Sequence, residues 1–172
     1  MAESEAGNGF ICDHMLLKLA RWLRMAGFDT MVPEDPDDDE MARLALDTGR
    51  TLLTRDKDLS NRKGINALRI VTDDMEGQLS ELQGILSSIG TARTSRCPLC
   101  NEVLVYSDPG SASLDGTVPA SVLETQEVFF RCPGCSKIYW KGTHWTRIER
   151  VLRSKGLDPI LPRPPPQAKS MT

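Results

Sequence analysis

The stretch GFICDHMLLKLARWLRMAG (residues 9–27) decides the fold, because a short apolar run passes directly into an amphipathic helix pattern. GFICD (9–13) is apolar up to its final acid and predicts a buried strand. HMLLKLARWLRMAG follows, and Gly27 predicts the end of its helix. The apolar residues that recur at helical spacing are Leu16, Leu19, Ala20 and Leu23. A strand covered at once by a helix is typical of an α/β fold.

The same alternation continues to about residue 90. Further strands are predicted for FDTMVP (28–33), RTLLTRD (50–56) and ALRIVTDD (67–74). Further helices are predicted for PDDDEMARLALDTG (36–49) and MEGQLSELQGILSSIG (75–90). Alternation of this kind favours a parallel sheet between helices, with the functional site beyond the carboxyl ends of the strands. We therefore predict an α/β domain over residues 9–90.

Length and composition limit the class of protein. The 172 residues are 40% hydrophobic and 26% charged, which suits one domain or a small domain with a mini-domain. No run of 18 apolar residues is present, so we expect no membrane partner. The N-terminus MAESEAGNGF lacks the basic region of a secretory signal, which favours a cytoplasmic protein. Residues 1–90 carry 17 acids and 10 bases, whereas residues 91–172 carry 7 acids and 11 bases, a difference that suits cation binding in one half and a polyanion in the other.

Three aspartates follow the predicted strands at their carboxyl ends. Asp13 ends the first strand, Asp56 ends the third strand, and Asp58 follows two residues later. Because the carboxyl ends of parallel strands meet at one edge of the sheet, we expect these side chains to converge.

The acidic run at residues 37–40 opens the second predicted helix. Helical periodicity selects Asp38 from this run, because it precedes the apolar positions Met41, Ala42 and Ala45 by three, four and seven residues. We therefore expect Asp38 to point inward, with Asp39 as the second choice.

Carboxylates crowded at one edge repel one another unless a proton or a divalent cation compensates them. Oxygen ligands suit Mg²⁺ or Mn²⁺, which can activate water for phosphodiester hydrolysis. The alternative is structural: Asp38 as an N-cap, Asp56 as a turn former and Asp13 as a cap of the first helix.

Four of the five cysteines form two Cys-x-x-Cys pairs, which are Cys97, Cys100, Cys132 and Cys135. Two such turns can complete a closed, structural Zn²⁺ tetrahedron. Residues 101–131 separate the pairs by more than a usual zinc ribbon needs, so an inserted loop is expected there. We predict a zinc ribbon with a basic C-terminal helix over 93–156, followed by a disordered proline-rich tail over 157–172.

Basic residues accompany the acids. Lys18, Arg21 and Arg24 recur along the first helix, and Arg55 adjoins the third-strand aspartate. We expect these four side chains to bind the phosphates of RNA. The last predicted helix carries four further bases, Arg147, Arg150, Arg153 and Lys155. They are interpreted either as a phosphate-binding surface or as an ordinary solvent-exposed helix face.

Three motifs resemble the PIN-like RNase domain found at the C-terminus of the exonuclease Mut-seven. They are FICDHMLLKLARWLRMAGFDT, DDDEMARLALDTGRTLLTRDKDL and TDDMEGQL. That family carries an appended zinc ribbon, which SRCPLCN and FFRCPGCSKIYWKGTHW resemble. The resemblance spans about residues 10–150 and implies a PIN-like parallel sheet and metal-dependent RNase activity. It implies that Asp13, Asp38 and Asp56 are the catalytic acids. Many PIN domains add a helix acid that has no match between residues 28 and 37, so Asp58 or Asp39 would take its place.

These observations predict a ribonuclease that uses Mg²⁺ or Mn²⁺ at Asp13, Asp38 and Asp56, with Asp58 assisting and Zn²⁺ stabilising the ribbon. The predicted partner is RNA, and the ribbon can also meet the ribosome or another protein. The alternative is a non-catalytic RNA-binding or ribosome-associated adaptor whose ribbon carries the function. Phosphoryl transfer through Asp13 as a nucleophile ranks last.

Overall fold

A computed structural model describes residues 9–89, 94–111 and 116–164. Within these ranges, the N-terminal part is a four-stranded parallel sheet flanked by helices. The C-terminal part is built on a three-stranded antiparallel sheet. The predicted α/β fold with a small C-terminal unit is therefore confirmed.

The order of the parallel strands places a switch point at the centre of the sheet. The strands are β1 (Phe10–Cys12), β2 (Thr30–Met31), β3 (Thr51–Thr54) and β4 (Ala67–Arg69). Their spatial order is β2-β1-β3-β4, so the chain leaves β1 to one side and returns to its other side. The carboxyl ends of β1 and β3 are consequently adjacent, which is where ligands bind in open α/β sheets.

A single 3-10 turn, His14–Leu16, precedes the four α-helices of this part of the chain. They are α1 (Leu17–Met25), α2 (Asp38–Thr48), α3 (Lys57–Ser60) and α4 (Met75–Ile89). Gly27 has a φ of 94°, and the Phe28 N–H bonds the Leu23 carbonyl at 2.9 Å, so α1 ends at the predicted glycine in a Schellman motif. No helix in the described residues is long and apolar enough to cross a membrane.

The two faces of the parallel sheet bury different layers. Phe10 and Cys12 of β1 lie in the core that contains the apolar sides of α1 and α4. Ile11 and Leu52 face the opposite way, into a smaller core formed with α2. This alternation follows from the two-residue period of a strand.

Two strands are shorter than predicted. After β4 ends at Arg69, the Ile70 N–H still donates to the Thr54 carbonyl at 2.8 Å, but the N–H groups of Val71 and Thr72 donate to the Glu81 carboxylate at 3.0 and 2.7 Å. β2 holds two residues, because Phe28 belongs to the end of the α1 turn and Pro33 has no N–H to donate.

The C-terminal unit joins the core of the parallel sheet. Its elements are β5 (Val105–Ser107), α5 (Ala120–Thr125), β6 (Phe129–Arg131), β7 (Ile138–Trp140) and α6 (Thr143–Ser154). Phe130 and the α6 residues Trp145, Ile148 and Leu152 share one buried cluster with Phe10. The predicted units 9–90 and 93–156 therefore share a core.

The predicted disorder of the tail is wrong for its first residues. Leu157 is buried, and Ile160 pairs with Thr94, whose neighbour Ser95 donates its N–H to the Ile160 carbonyl at 2.8 Å. Apolar residues between the prolines supply the contacts that proline-rich composition did not predict. Residues 165–172 of the tail and the leader 1–8 lie outside the described residues.

Candidate active site and metal centre

Asp13 follows β1 at the switch point and turns its carboxylate toward the end of β3. Its Oδ2 atom accepts hydrogen bonds from Thr54 Oγ1 at 2.6 Å and from the Arg55 backbone N–H at 3.1 Å. Its Oδ1 atom is buried and has no hydrogen-bond partner among the described residues. The Asp13 side chain makes no capping hydrogen bond to the helical turn that follows it. The alternative prediction, that Asp13 caps the first helix, is therefore wrong. A buried carboxylate oxygen without a partner is a candidate ligand atom for a cation.

Thr54 connects the two strand ends and was missed as a site residue in the sequence. It is fully buried, donates its hydroxyl to Asp13 and accepts the Asp56 backbone N–H at 3.0 Å. The signal that could have identified it is a polar residue closing the buried run TLLT. Asp13 and the Asp56 backbone therefore share one hydroxyl, which confirms that the ends of β1 and β3 converge.

Asp56 and Asp58 occupy the turn after β3. Asp56 is the N-cap of α3 and accepts the Leu59 N–H at 2.7 Å through Oδ1. Both aspartate side chains are exposed to solvent. Asp56 thus stabilises the turn after β3, in agreement with the alternative prediction that it is a turn former. Its second carboxylate oxygen remains available for another ligand.

The acidic run before α2 is arranged differently from the prediction. Asp37, not Asp38, is the N-cap, and its carboxylate accepts the Glu40 N–H at 2.7 Å. Asp38 is exposed, so the expectation that it points inward is wrong. It lines an open depression together with Asp37, Asp39 and Arg62. Arg62 pairs with Asp39 at 2.5 Å, which ties the second-choice acid to a cation.

Three of the predicted RNA-binding cations remain near the surface. Lys18 and Arg21 are exposed on α1. Arg55 folds over the segment after β4, where it donates to the carbonyls of Val71 and Thr72 at 3.3 Å and pairs with Asp73. Its guanidinium therefore already holds the loop beside the switch point.

The four predicted cysteines come together as a metal-binding cluster. Their sulfur atoms all lie within 4.8 Å of one another, with Cys100 to Cys132 at 3.2 Å and Cys97 to Cys135 at 3.6 Å. A tetrahedral zinc site with bonds of about 2.3 Å has sulfur–sulfur edges of about 3.8 Å, so the cluster can hold Zn²⁺. It is the one group of three or more His, Cys, Asp or Glu donors this close together in the described ranges. The predicted catalytic aspartates do not form such a group there.

The surroundings of the cluster favour the thiolate form of Cys97 but oppose that of Cys132 and Cys135. Burial opposes ionisation of Cys97, but hydrogen bonds from Tyr139 and from the backbone of Cys100 and Leu99 lower its pKa to about 7. The Tyr139 hydroxyl lies 3.1 Å from the Cys97 sulfur. Burial raises the pKa of Cys132 to about 12, so this thiol needs a metal ion to lose its proton at neutral pH.

A comparison with protein families matches residues 8–152 to the model of the Mut7-C RNAse domain. The match covers most of the chain. The chain belongs to the Mut7-C RNase domain family. Curated proteins and solved structures give no match. Membership indicates a nuclease-type function, a ribonuclease-like hydrolase with RNA as its substrate.

The contacts of Arg24 differ from the prediction. Arg24 is buried, with a relative exposure of 5%. Its guanidinium donates to the carbonyls of Thr30, Pro98 and Leu99 at 2.9, 2.9 and 3.0 Å. The prediction that Arg24 binds RNA is therefore wrong, because this cation is enclosed where α1 and β2 meet the first cysteine turn. Burial lowers its pKa, and the nearby thiols of Cys12, Cys97 and Cys100 partly offset that effect.

Replacing Arg24 by methionine is expected to lower the free energy of unfolding of the protein by about 3 kcal/mol, because one buried and two partly buried carbonyls lose a charged donor. Arg21→Met, on the exposed face of α1, is the matched control and should change stability by about 0.5 kcal/mol or less. Urea unfolding of both variants measures the difference. Equal losses for the two variants would show that the Arg24 contacts add nothing to stability.

Proposed function

We propose that the protein hydrolyses RNA phosphodiester bonds with Mg²⁺ or Mn²⁺ held at the switch point between β1 and β3. The observation that carries this proposal is the buried, unpartnered Oδ1 atom of Asp13. Membership of an RNase-domain family supplies the class of substrate. Asp13, Asp38 and Asp56 would be the metal ligands, with Asp58 or Asp39 assisting.

The residues present fit a hard divalent cation. The donors offered are carboxylate oxygens, the ligands that Mg²⁺ and Mn²⁺ prefer. Asp13 is held by Thr54 and Arg55, which leaves Oδ1 directed away from its protein partners. The ion would supply the positive charge that activates water and stabilises the leaving oxygen.

The chain itself would orient the substrate. Arg55 keeps the loop of residues 71–73 against the end of β3, which limits one side of the site. Lys18 and Arg21 are exposed on the helix that follows Asp13 and can contact phosphates. The Thr54 hydroxyl fixes Asp13, and preorganised ligands lose little freedom when substrate binds.

We propose that Zn²⁺ occupies the four-cysteine cluster in a purely structural role. Four thiolates leave no ligand position for water, so no catalysis is expected there. The ribbon would instead hold the first cysteine turn against Arg24 and offer a surface to RNA, the ribosome or another protein.

The competing proposal is a non-catalytic RNA-binding adaptor. One observation favours it: within the described residues, Asp13, Asp38 and Asp56 do not form a group of donors close enough together to hold a metal ion. Asp39 is paired with Arg62, and Asp56 is occupied in part by its cap. An adaptor would bind RNA equally well with and without these carboxylates.

Cleavage assays separate the two proposals. Zinc-loaded protein is incubated with end-labelled single-stranded and hairpin RNA in Mn²⁺, in Mg²⁺ or without added divalent ion. Asp56→Asn is the test variant, because asparagine retains an acceptor for the Leu59 N–H and therefore the cap of α3. Asp47→Asn, on the exposed part of α2, is the matched control.

We expect cleavage in Mn²⁺ or Mg²⁺ by the wild type and by Asp47→Asn, and its loss in Asp56→Asn. Undiminished cleavage by Asp56→Asn would contradict the assignment of this acid. Absence of cleavage in either metal, with RNA binding retained by every variant, would replace the nuclease by the adaptor.

A further inference from the structure

A basic groove lies at the start of α6, and none of the residues that line it is a hydrogen-bond partner of Asp13. It is about 380 Å³ in volume, and Lys141, Arg147 and Arg150 line it together with Gln126, Thr143 and Thr146. No acidic side chain lines it. We call this surface the α6 groove. Lys141 is paired with Glu149, but Arg147 and Arg150 have no ion-pair partner among the described residues, so the groove is a site of positive potential.

The basic residues of α6 and its C-terminal end differ in whether they have a partner. Arg153 pairs with Glu149 at 2.9 Å and with Asp158 at 2.8 Å. Lys155 donates to the Ser80 hydroxyl at 2.8 Å. Arg147 and Arg150 are exposed and make no ion pair within the described residues. The solvated-face interpretation thus suits Arg153 and Lys155, whereas Arg147 and Arg150 are free to bind an anion.

Lys141 is held at the rim of the α6 groove by a buried acid. Its ammonium lies 2.9 Å from the carboxylate of Glu149, which is buried and also pairs with Arg153. Lys141 and Arg153 are therefore balanced in charge by Glu149 and Asp158, so the positive potential of the α6 groove comes from Arg147 and Arg150. A long, flexible side chain is thereby fixed in place, which reduces the entropy lost when an anion binds.

The end of α6 adds to the attraction for anions. The N-cap is Gly142, which has no side chain to accept from the first amides of this 12-residue helix. These amides and the helix dipole favour a negative group beside Thr143. The dipole acts together with the guanidinium groups of Arg147 and Arg150, which lie one and two turns farther along the helix.

We propose that the α6 groove binds the phosphate backbone of single-stranded RNA, as an anchoring surface separate from the Asp13 site. Charge complementarity selects a polyanion, and unpaired arginines suit phosphate oxygens through their forked donors. Contacts of this kind hold RNA without reading its sequence. The inference rests on the proposed function for the identity of the polyanion, but it does not require cleavage.

The test is RNA binding by the zinc-loaded full chain, measured by fluorescence anisotropy of labelled oligouridine without added divalent ion. The test variant is Arg147→Gln/Arg150→Gln, and the matched control is Arg153→Gln on the same helix. The double variant should raise Kd about tenfold near physiological salt and reduce the slope of log K against log salt by about 1.4, since each lost phosphate contact on a single strand contributes about 0.7. Arg153→Gln should change Kd less than about twofold, because this arginine is neutralised by Glu149 and Asp158.

Unchanged affinity and slope in the double variant would overturn the proposal. The same titration with polyglutamate distinguishes an acidic protein partner: a loss of polyglutamate binding without a loss of RNA binding would also overturn it. Cleavage is scored separately in Mn²⁺. A wild type that binds RNA through Arg147 and Arg150 but never cleaves it would refute the proposed function and leave the α6 groove assigned.

Discussion

Asp13→Asn is expected to reduce RNA cleavage about 100-fold or more, because a metal ion bound there contributes several kcal/mol to the transition state. The asparagine oxygen can take the place of Oδ2 and keep the hydrogen bonds from Thr54 and Arg55. Its NH₂ group then occupies the buried position of Oδ1, where it presents hydrogens and no lone pair. The substitution thus removes a ligand atom while it preserves the local structure.

Stability and activity should separate in this variant. Wild-type Asp13 buries an unpaired carboxylate oxygen, so its neutral replacement should leave the melting temperature unchanged or raise it. Cleavage of labelled RNA in Mn²⁺ and thermal unfolding, measured beside Asp47→Asn, check both statements. Cleavage within about twofold of the control, in a folded protein, would contradict the assignment of Asp13 as a ligand.

The convergence of Asp13 with the end of β3 was predictable because it depends on strand alternation, which local sequence encodes. The prediction for Asp38 failed at a different level. Helical periodicity describes which side of α2 is apolar. The acids at the first turn of α2 line an open depression, however, so no other element covers Asp38. Periodicity therefore cannot tell whether a residue of the first turn is covered.

Arg24 shows why charge patterns along one helix do not identify a binding surface. Lys18, Arg21 and Arg24 have the same spacing, but only Arg24 meets Pro98 and Leu99, which lie more than 70 residues later in the chain. Such a contact depends on how the ribbon docks, which no local pattern contains. The cysteine cluster was predictable because the paired spacing itself encodes the ligand geometry.

The first cysteine turn also completes an edge of the parallel sheet. β2 is an edge strand, and its Thr30 N–H donates to the Asn101 side chain at 3.1 Å. Asn101 in turn donates to Asp29 at 2.6 Å, and Arg50 pairs with the same aspartate at 2.7 Å. Asn101 follows Cys100 directly, so a metal ion held by the four cysteines would also fix the residue that covers the edge strand. Metal occupancy should therefore be coupled to the order of β2.

Removing the metal is expected to unfold the ribbon and to expose this edge. Structural zinc sites contribute about 10–16 kcal/mol of binding energy, far more than a small ribbon gains from its own core. In chelator-treated protein, or in Cys132→Ser, amide exchange should rise at least about tenfold in residues 129–140 and at Thr30, whose amide loses its acceptor. The Ile70 amide, bonded to the Thr54 carbonyl at 2.8 Å beside the opposite edge strand, should keep its protection.

Two controls make this result specific. Cys12→Ala removes the cysteine outside the cluster and should retain one zinc per chain, and added Zn²⁺ should restore protection to the chelated wild type. Exchange that rises in the ribbon but not at Thr30 would show that the sheet edge is ordered independently of the metal. Exchange that rises equally at Thr30 and Ile70 would show global unfolding. The Thr30 amide donates to Asn101, whereas the Ile70 amide donates to Thr54, so a coupling through the first cysteine turn should affect Thr30 alone.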